Sequence, residues 1–550
     1  MRETFHRILH KRYTVLMGLL WAMMLACGTS QRENKNVFRY NQPEGIPTLD
    51  PAFAKNQAII WAVHQIYNTL VEPDPIIGIK PSLAKDWTIS SDRLTYTFHL
   101  RGDVFFHDHE VFAGGKGRRM TAHDIVYSFR RVMDPATASP GAWIFNDKVD
   151  PQKGFQAIND TTFQLQLLKP FNPILGILSM QYCSIVPHEV VEKYGKDFRK
   201  HPCGTGPFQF HFWEEGQALV LHRFPNYFER DSVGARLPYL DAVQVSFVDS
   251  RGTEFLLFMQ KQLDFMNDIE SSFKDEVLSK SGELKDEWKG KIVLDKSFYL
   301  NIEYFGIVVD PENPMVRNSP LKDVKIRQAI NYAIDREKMM MYLRNNIGKP
   351  ATSGCLPMGL PSFDSVTVKG YHYHPQKAQQ LLTEAAYPNG KGMPGIKLVS
   401  IPLYADMASF VANQLEEVGI KVQVEIIQKS SLIEQASKVQ VPFFRASWIA
   451  DYPDAESFLA VFYSKNPAPP NYTRFSNPQF DALYEKALQE TNDSLRYEEY
   501  KAMDRIVIAN APVVPLFYDE VIHFLQPNVK GMVNNSLNIL ELRTVKLLPK

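Results

Sequence analysis

Phe443-Phe444-Arg445-Ala446-Ser447-Trp448-Ile449-Ala450-Asp451-Tyr452-Pro453-Asp454 starts as an apolar run, carries one cation and one anion, and stops at a proline. Such a run before a Tyr-Pro-Asp break reads as a buried strand ending in a turn. Residues two apart on a strand share a face, so Arg445 and Asp451 point the same way. Buried opposite charges need partners. At the rise of a strand their Cα atoms lie ~20 Å apart, too far for them to pair with each other. Subtracting ~7 Å for the arginine stem and ~3 Å for the aspartate leaves a gap of about 10 Å. That gap suits a short zwitterion, an amine at one end and a carboxylate at the other. The competing reading is that each charge pairs with its own protein neighbour, and the spacing alone leaves both open.

Working outward, the same stretch continues to Ser457-Phe458-Leu459. Trp448, Ala450, Asp451 and Tyr452 followed by Ser457-Phe458-Leu459 resemble the W-x-A-D-Y…(S/N)-F-L stretch of periplasmic peptide-binding proteins of ABC importers, in the peptide- and nickel-binding group of extracellular solute-binding proteins. The resemblance implies that Asp451 takes the ligand α-amino group and Arg445 the carboxylate of a short peptide. It implies that Ala446, Ser447 and Trp448 line the site beside them.

The resemblance runs in order from about Val37 to the end. It includes Leu49-Asp50-Pro51-Ala52, Ile66-Tyr67-Asn68-Thr69-Leu70-Val71, Pro81-Ser82-Leu83-Ala84-Lys85-Asp86-Trp87 and Gly204-Thr205-Gly206-Pro207-Phe208. The helix Leu321 to Arg336 and the closing strand Ala511 to Tyr518 also fit. By itself Gly204-Thr205-Gly206 reads as a tight glycine turn; the G-x-x-x-x-G-K-[ST] of a phosphate loop is absent. By analogy with the family, Gly204 is expected at the ligand. Asp134 to Pro140 nearly repeats an oligopeptide-binder sequence, but Gly141 stands where an aromatic often contacts ligand. Trp143 is the substitute candidate, and Trp61 and Trp448 are further pocket aromatics. A second departure follows Phe105-Phe106-His107-Asp108, where Ala113 to Met120 reads as an inserted loop.

Period-two alternation over Thr95 to Leu100 predicts a strand, and Thr121 before Ala122-His123-Asp124 predicts a capped helix. Ile326, Ala329, Ile330, Ala333 and Ile334 fall on one helical stripe, with the intervening charges read as a solvated face. His374-Pro375 is read as a helix start, and Lys397 to Ile427 as strand, helix, strand.

The chain has 550 residues, too many for one core. Its 61 Lys plus Arg balance 61 Asp plus Glu, so it lacks the basic excess of a nucleic-acid binder. Arg2, Arg7, Lys11 and Arg12 precede an uncharged run, Tyr13 to Ala26, which reads as a signal peptide. Met24-Leu25-Ala26-Cys27 resembles a lipobox, with Met24 where Leu is usual. Cys27 is therefore expected to be lipidated and to anchor the protein at the cell envelope; a soluble secreted form cut near Ala26, or an uncleaved anchor, is the alternative. Export makes disulfides possible. A Cys183–Cys203 bond would close a loop of about 20 residues, worth ~3 kcal/mol, against the alternative of buried free thiols.

The expected fold is α/β, a two-lobe periplasmic-binding-protein architecture with an extra domain inserted in the first lobe. The implied boundaries are signal peptide 1–26, tether 27–36, first lobe 37–67, 191–298 and 515–550, inserted domain 68–190, and second lobe 299–514. The expected function is capture of short peptides for an ABC permease and ATPase complex, by a monomer without cofactor or metal. A nickel chelate, an oligosaccharide or a wall-derived peptide is the alternative ligand. An exported hydrolase is the alternative class, although no G-x-S-x-G or H-E-x-x-H motif stands out. Asp454 reads as a turn residue rather than half of a carboxylate pair.

Overall fold

Two long strands carry the architecture. A computed structural model of the chain describes residues 36–75 and 77–549. The expected signal peptide, the tether and Cys27 lie outside the described residues. Among those described, no helix is long and apolar enough to cross a membrane.

The main sheet has eleven strands. In chain order its principal members are β1 (Val37–Asn41), β2 (Phe208–Glu214), β3 (Ala218–Arg223), β4 (Ala242–Ser246), β5 (Phe265–Asn267), β6 (Val293–Ile307), β7 (Ile396–Ser400), β8 (Val422–Ile426), β9 (Phe443–Ile449) and β10 (Val513–Leu525). Their spatial order is β8-β7-β9-β6-β10-β5-β1-β4-β3-β2, with Lys349–Pro350 added against β10. β6 and β10 run antiparallel from one half of the sheet into the other. Their pairing shifts register between Phe298 and Ile302 and again between Glu303 and Tyr304. A register shift bends the strand and interrupts its ladder. The core changes identity there: Leu300, Ile302 and Tyr304 pack in second-lobe clusters, whereas Leu294 packs with Phe255, Phe258 and Phe524 of the first.

A separate four-stranded antiparallel sheet holds Ala84–Ile89, Thr95–Leu100, Phe155–Asn159 and Thr162–Gln166. Thr95–Leu100 alternates as predicted, with Tyr96, Phe98 and Leu100 buried. This inserted domain has no core of its own. Phe98, Phe129 and Phe163 belong to one continuous cluster with Phe38, Trp61 and Val243 of the first lobe. The expected last crossing at 514/515 falls early, because Leu516, Phe517 and Tyr518 still pack in second-lobe cores.

Local rules account for the helix starts. Thr121 and Asp124 form a reciprocal capping box, with the Thr121 N–H on Asp124 Oδ2 at 2.8 Å. Asn56 accepts from the Ile59 N–H at 3.1 Å to start α1 (Gln57–Ile66). His374 Nδ1 accepts from the Lys377 N–H at 3.2 Å. The Ile326-Ala329-Ile330-Ala333-Ile334 stripe is fully buried as expected, and Lys322 and Lys325 reach solvent, but two of its cations, Arg327 and Arg336, do not. Arg327 and Arg336 are buried and donate to main-chain carbonyls, including Asn510 and Leu321 for the former and Pro515 and Asn331 for the latter. Guanidinium groups have donors enough to bind several carbonyls at once, which is why they tolerate this position.

Cys183 and Cys203 are buried and free. Cys183 Sγ donates to the Ile177 carbonyl and Cys203 Sγ to the His107 carbonyl. Of the two states left open for this pair, the structure has the buried free thiols.

Candidate functional site

The strand β9 pairs with β6 in antiparallel register, Arg445 opposite Phe305 and Ser447 opposite Glu303. Opposed residues share a face, so Glu303 and Arg445 are diagonal neighbours on it. Arg445 Nη2 lies 2.5 Å from Glu303 Oε1 and 2.7 Å from Oε2. Its guanidinium also stacks 4.0 Å from the centre of the Tyr404 ring. Glu303 is completely buried, which pushes its carboxyl up to about 7 against the pull of Arg445. The cation expected to hold a ligand carboxylate is thus neutralised inside its own lobe. The alternative left open by the spacing is the one found here.

Asp451 behaves differently. Beyond β9 the chain turns at Tyr452-Pro453-Asp454, with the Asp454 N–H on the Tyr452 carbonyl at 2.8 Å. The Asp451 N–H donates to Ser457 Oγ at 3.2 Å, which fixes the backbone. Its carboxylate has no cation and no hydrogen-bond donor among the described residues. It opens into a cavity of about 280 Å³ between the lobes. Asp451 is exposed at that cavity, with protein on its other sides. Desolvation, reinforced by the charge of Glu456, pushes it up to about 6.

The cavity is built from both lobes. The start of α1 contributes Lys55, Asn56 and Ile60; the inserted domain contributes Trp143, Gln181 and Tyr182; Tyr299 comes from β6, Ile449 to Asp451 from the second lobe, and Leu537 to Ile539 from the C-terminal segment. Trp143 is therefore at the site, 40% exposed. Gly141 is a packing position: a Cβ there would lie 2.4 Å from the Tyr182 ring. Tyr182 supplies the aromatic that Gly141 lacks. Burial, aided by Asp451, pushes the Tyr182 hydroxyl up to about 12.

The other expected residues separate. Trp448 packs with Ile302, Tyr304, Phe458 and Phe462 in the second-lobe interior, its Nε1 donating to Ser457 Oγ at 3.4 Å. Trp61 is a core residue whose Nε1 donates to the Asn538 carbonyl at 2.6 Å. Gly204 is buried in the first lobe, where a Cβ would lie 2.2 Å from the Ile66 carbonyl oxygen. Its glycine serves this close approach to α1 and does not reach the cavity. Ala446 and Ser447 pair with β6 along one edge. On the opposite edge β7 meets β9 only at Phe444, so among the described strands none covers Ala446 to Ile449 there. Asp454 is structural, held by Arg496 at 2.5 Å and by the Tyr500 hydroxyl at 2.8 Å.

Tyr452, next to Asp451, inserts into the core shared by the first lobe and the inserted domain. The Asn172 N–H donates to the Leu488 carbonyl at 3.3 Å, and Arg93 Nη2 to the Thr491 carbonyl at 2.9 Å. These contacts join the inserted domain to the second lobe.

Sequence reasoning missed Lys55 and Gln181. Lys55 is the residue before a helix cap, and Gln181 lies in a segment with no motif; neither carries a sequence signal of its own.

The chain is 30% identical to heme-binding protein A of Haemophilus influenzae over 95% of its own length and 96% of the relative's. It is 25% identical to the glutathione-binding protein GsiB of Escherichia coli over 96% of each. Among solved structures, the periplasmic binding protein DppA of Helicobacter pylori, in complex with the peptide STSA, superposes with a TM-score of 0.73 at 26% identity, covering 93% of this chain and 97% of that one. Residues 78–470 match the profile of the bacterial extracellular solute-binding proteins, family 5 (middle segment), and the chain belongs to that family.

Proposed function

We propose that this protein captures short peptides in the interlobe cavity and delivers them to an ABC permease, the peptide ammonium resting on Asp451. The observation that carries the reading is the Asp451 carboxylate, unpaired among the described residues and facing the interlobe cavity. A charge-assisted bond there is worth ~1.5–3 kcal/mol. With Arg445 committed to Glu303, Lys55 is the cation that borders the cavity among the described residues, and it is assigned the ligand carboxylate. The free edge of Ala446 to Ile449 suits main-chain pairing, which is indifferent to side-chain identity. A cavity of about 280 Å³ is near the low end for small-molecule sites and favours a ligand of a few residues. Glutathione, a small peptide with an ammonium and carboxylates, belongs to the same chemical class. Export and a lipid anchor at Cys27 complete the proposal, placing the monomer at the cell envelope.

Calorimetry with di- to tetra-alanine tests it. Free peptides should bind, and N-acetylation should weaken them at least tenfold. Absence of binding by every peptide, or indifference to acetylation, overturns the reading.

A further inference from the structure

A second cavity, of about 1130 Å³, is bordered by Ile59 of α1, whereas Ile60 borders the interlobe cavity. Consecutive helical residues point about 100° apart, so the two spaces lie on different sides of α1. The remaining walls are segments 47–53 and 191–199 and the helix Ala122–Met133 with the turn after it. The volume stands at the upper end for small-molecule clefts.

Part of the lining is apolar. Phe53, Val126 and Tyr127 are each half-buried, beside the buried Ile59 and Val191. Apolar surface of this kind, rimmed by polar groups, marks a binding groove. The charges on the same walls are uneven, five cations to three anions. Arg131 is spent on Asp50, with Nη1 to Oδ1 at 2.9 Å and Nη2 to Oδ2 at 2.6 Å. Arg199 is spent on Glu215 at 3.0 Å. Asp134 accepts from the Ala136 N–H at 2.9 Å, and Glu192 is exposed. Arg130 donates to the Gln152 carbonyl at 2.8 Å, a neutral acceptor. Lys196 has no anion partner among the described residues. Lys55 borders both cavities, whereas Arg130 and Lys196 border this one alone.

We propose that this groove is a second ligand site, separate from the interlobe cavity, which takes an aromatic anion. Its rings lie against Phe53 and Tyr127, and its acidic groups face Arg130 and Lys196. Ring faces stack on aromatic side chains, and guanidinium and ammonium groups meet the charge. The assignment does not depend on the peptide reading.

The test is fluorescence titration of the full chain with two dyes, anilinonaphthalene sulfonate and phenylnaphthylamine. They share their rings and differ by the sulfonate. Wild type should bind both. The double variant Arg130→Gln/Lys196→Gln should weaken the sulfonate about fivefold, the worth of two exposed charge contacts, and leave the neutral dye within twofold. Val126→Glu sets a carboxylate in the apolar lining and should weaken both dyes at least tenfold. Lys391→Gln/Lys421→Gln, which removes two exposed cations of the second lobe, should change neither. An unchanged sulfonate affinity in the folded Arg130→Gln/Lys196→Gln variant overturns the proposal. Equal losses for both dyes in that variant, or an equal loss of the sulfonate in Lys391→Gln/Lys421→Gln, overturn it as well. A wild type that binds neither dye does so outright. Should Val126→Glu fail to fold, the Arg130→Gln/Lys196→Gln arm decides alone.

Discussion

Arg445 and Glu303 form a buried ion pair across two adjacent strands of the second lobe, 2.5 Å apart at closest approach. Taking one partner away leaves a desolvated charge. Glu303→Gln should therefore destabilise the protein by about 3–5 kcal/mol in urea unfolding. Arg445→Met should leave the preference for free-carboxylate peptides over their amides unchanged. Loss of that preference would return Arg445 to the ligand.

Asp451→Asn should weaken trialanine at least tenfold, about 1.4 kcal/mol or more, with little change in stability. The carboxylate has no protein donor to lose, so equal affinities in calorimetry would remove it from the site.

The same group sets a pH dependence. Burial and Glu456 push the Asp451 carboxyl up to about 6, and the peptide ammonium binds only its ionised form. Affinity should be constant well above that value and fall about tenfold per pH unit below it. Binding near pH 6 should release protons, read as a buffer-dependent heat. Asp451→Asn should abolish both effects.

Gly204→Ala should cost about 2 kcal/mol or more, because the added Cβ meets the Ile66 carbonyl oxygen and the Tyr67 ring. Peptide affinity of the folded fraction should stay the same. A selective loss of affinity would restore Gly204 to the site.

Asn172→Ala removes the side-chain bond from the inserted domain to the Glu490 carbonyl. Fewer contacts then join the inserted domain to the second lobe, so affinity should fall a few-fold with dissociation faster in stopped flow.

What the sequence revealed depended on distance along the chain. Caps such as Thr121 with Asp124, and the alternation of Thr95 to Leu100, are set within a few residues and were legible. Asp451 was legible through the surrounding Trp-x-Ala-Asp-Tyr pattern. The partner of Arg445 lies 142 residues away, and only the strand register brings it near. Arg327 and Arg336 looked solvated because their acceptors are carbonyls, which leave no mark in a side-chain pattern. Arg130 and Lys196 border one groove through segments that meet only in the folded molecule.

The two longest strands pass without interruption from one half of the molecule to the other. Opening the cleft must therefore flex a continuous ribbon, concentrated where its pairing slips around Phe298 to Ile302. Amides there should trade their protons for deuterium sooner than those on either side. Filling the cavity should slow that exchange, so occupancy could be followed at Tyr299 and its neighbours, where the ribbon borders the bound molecule.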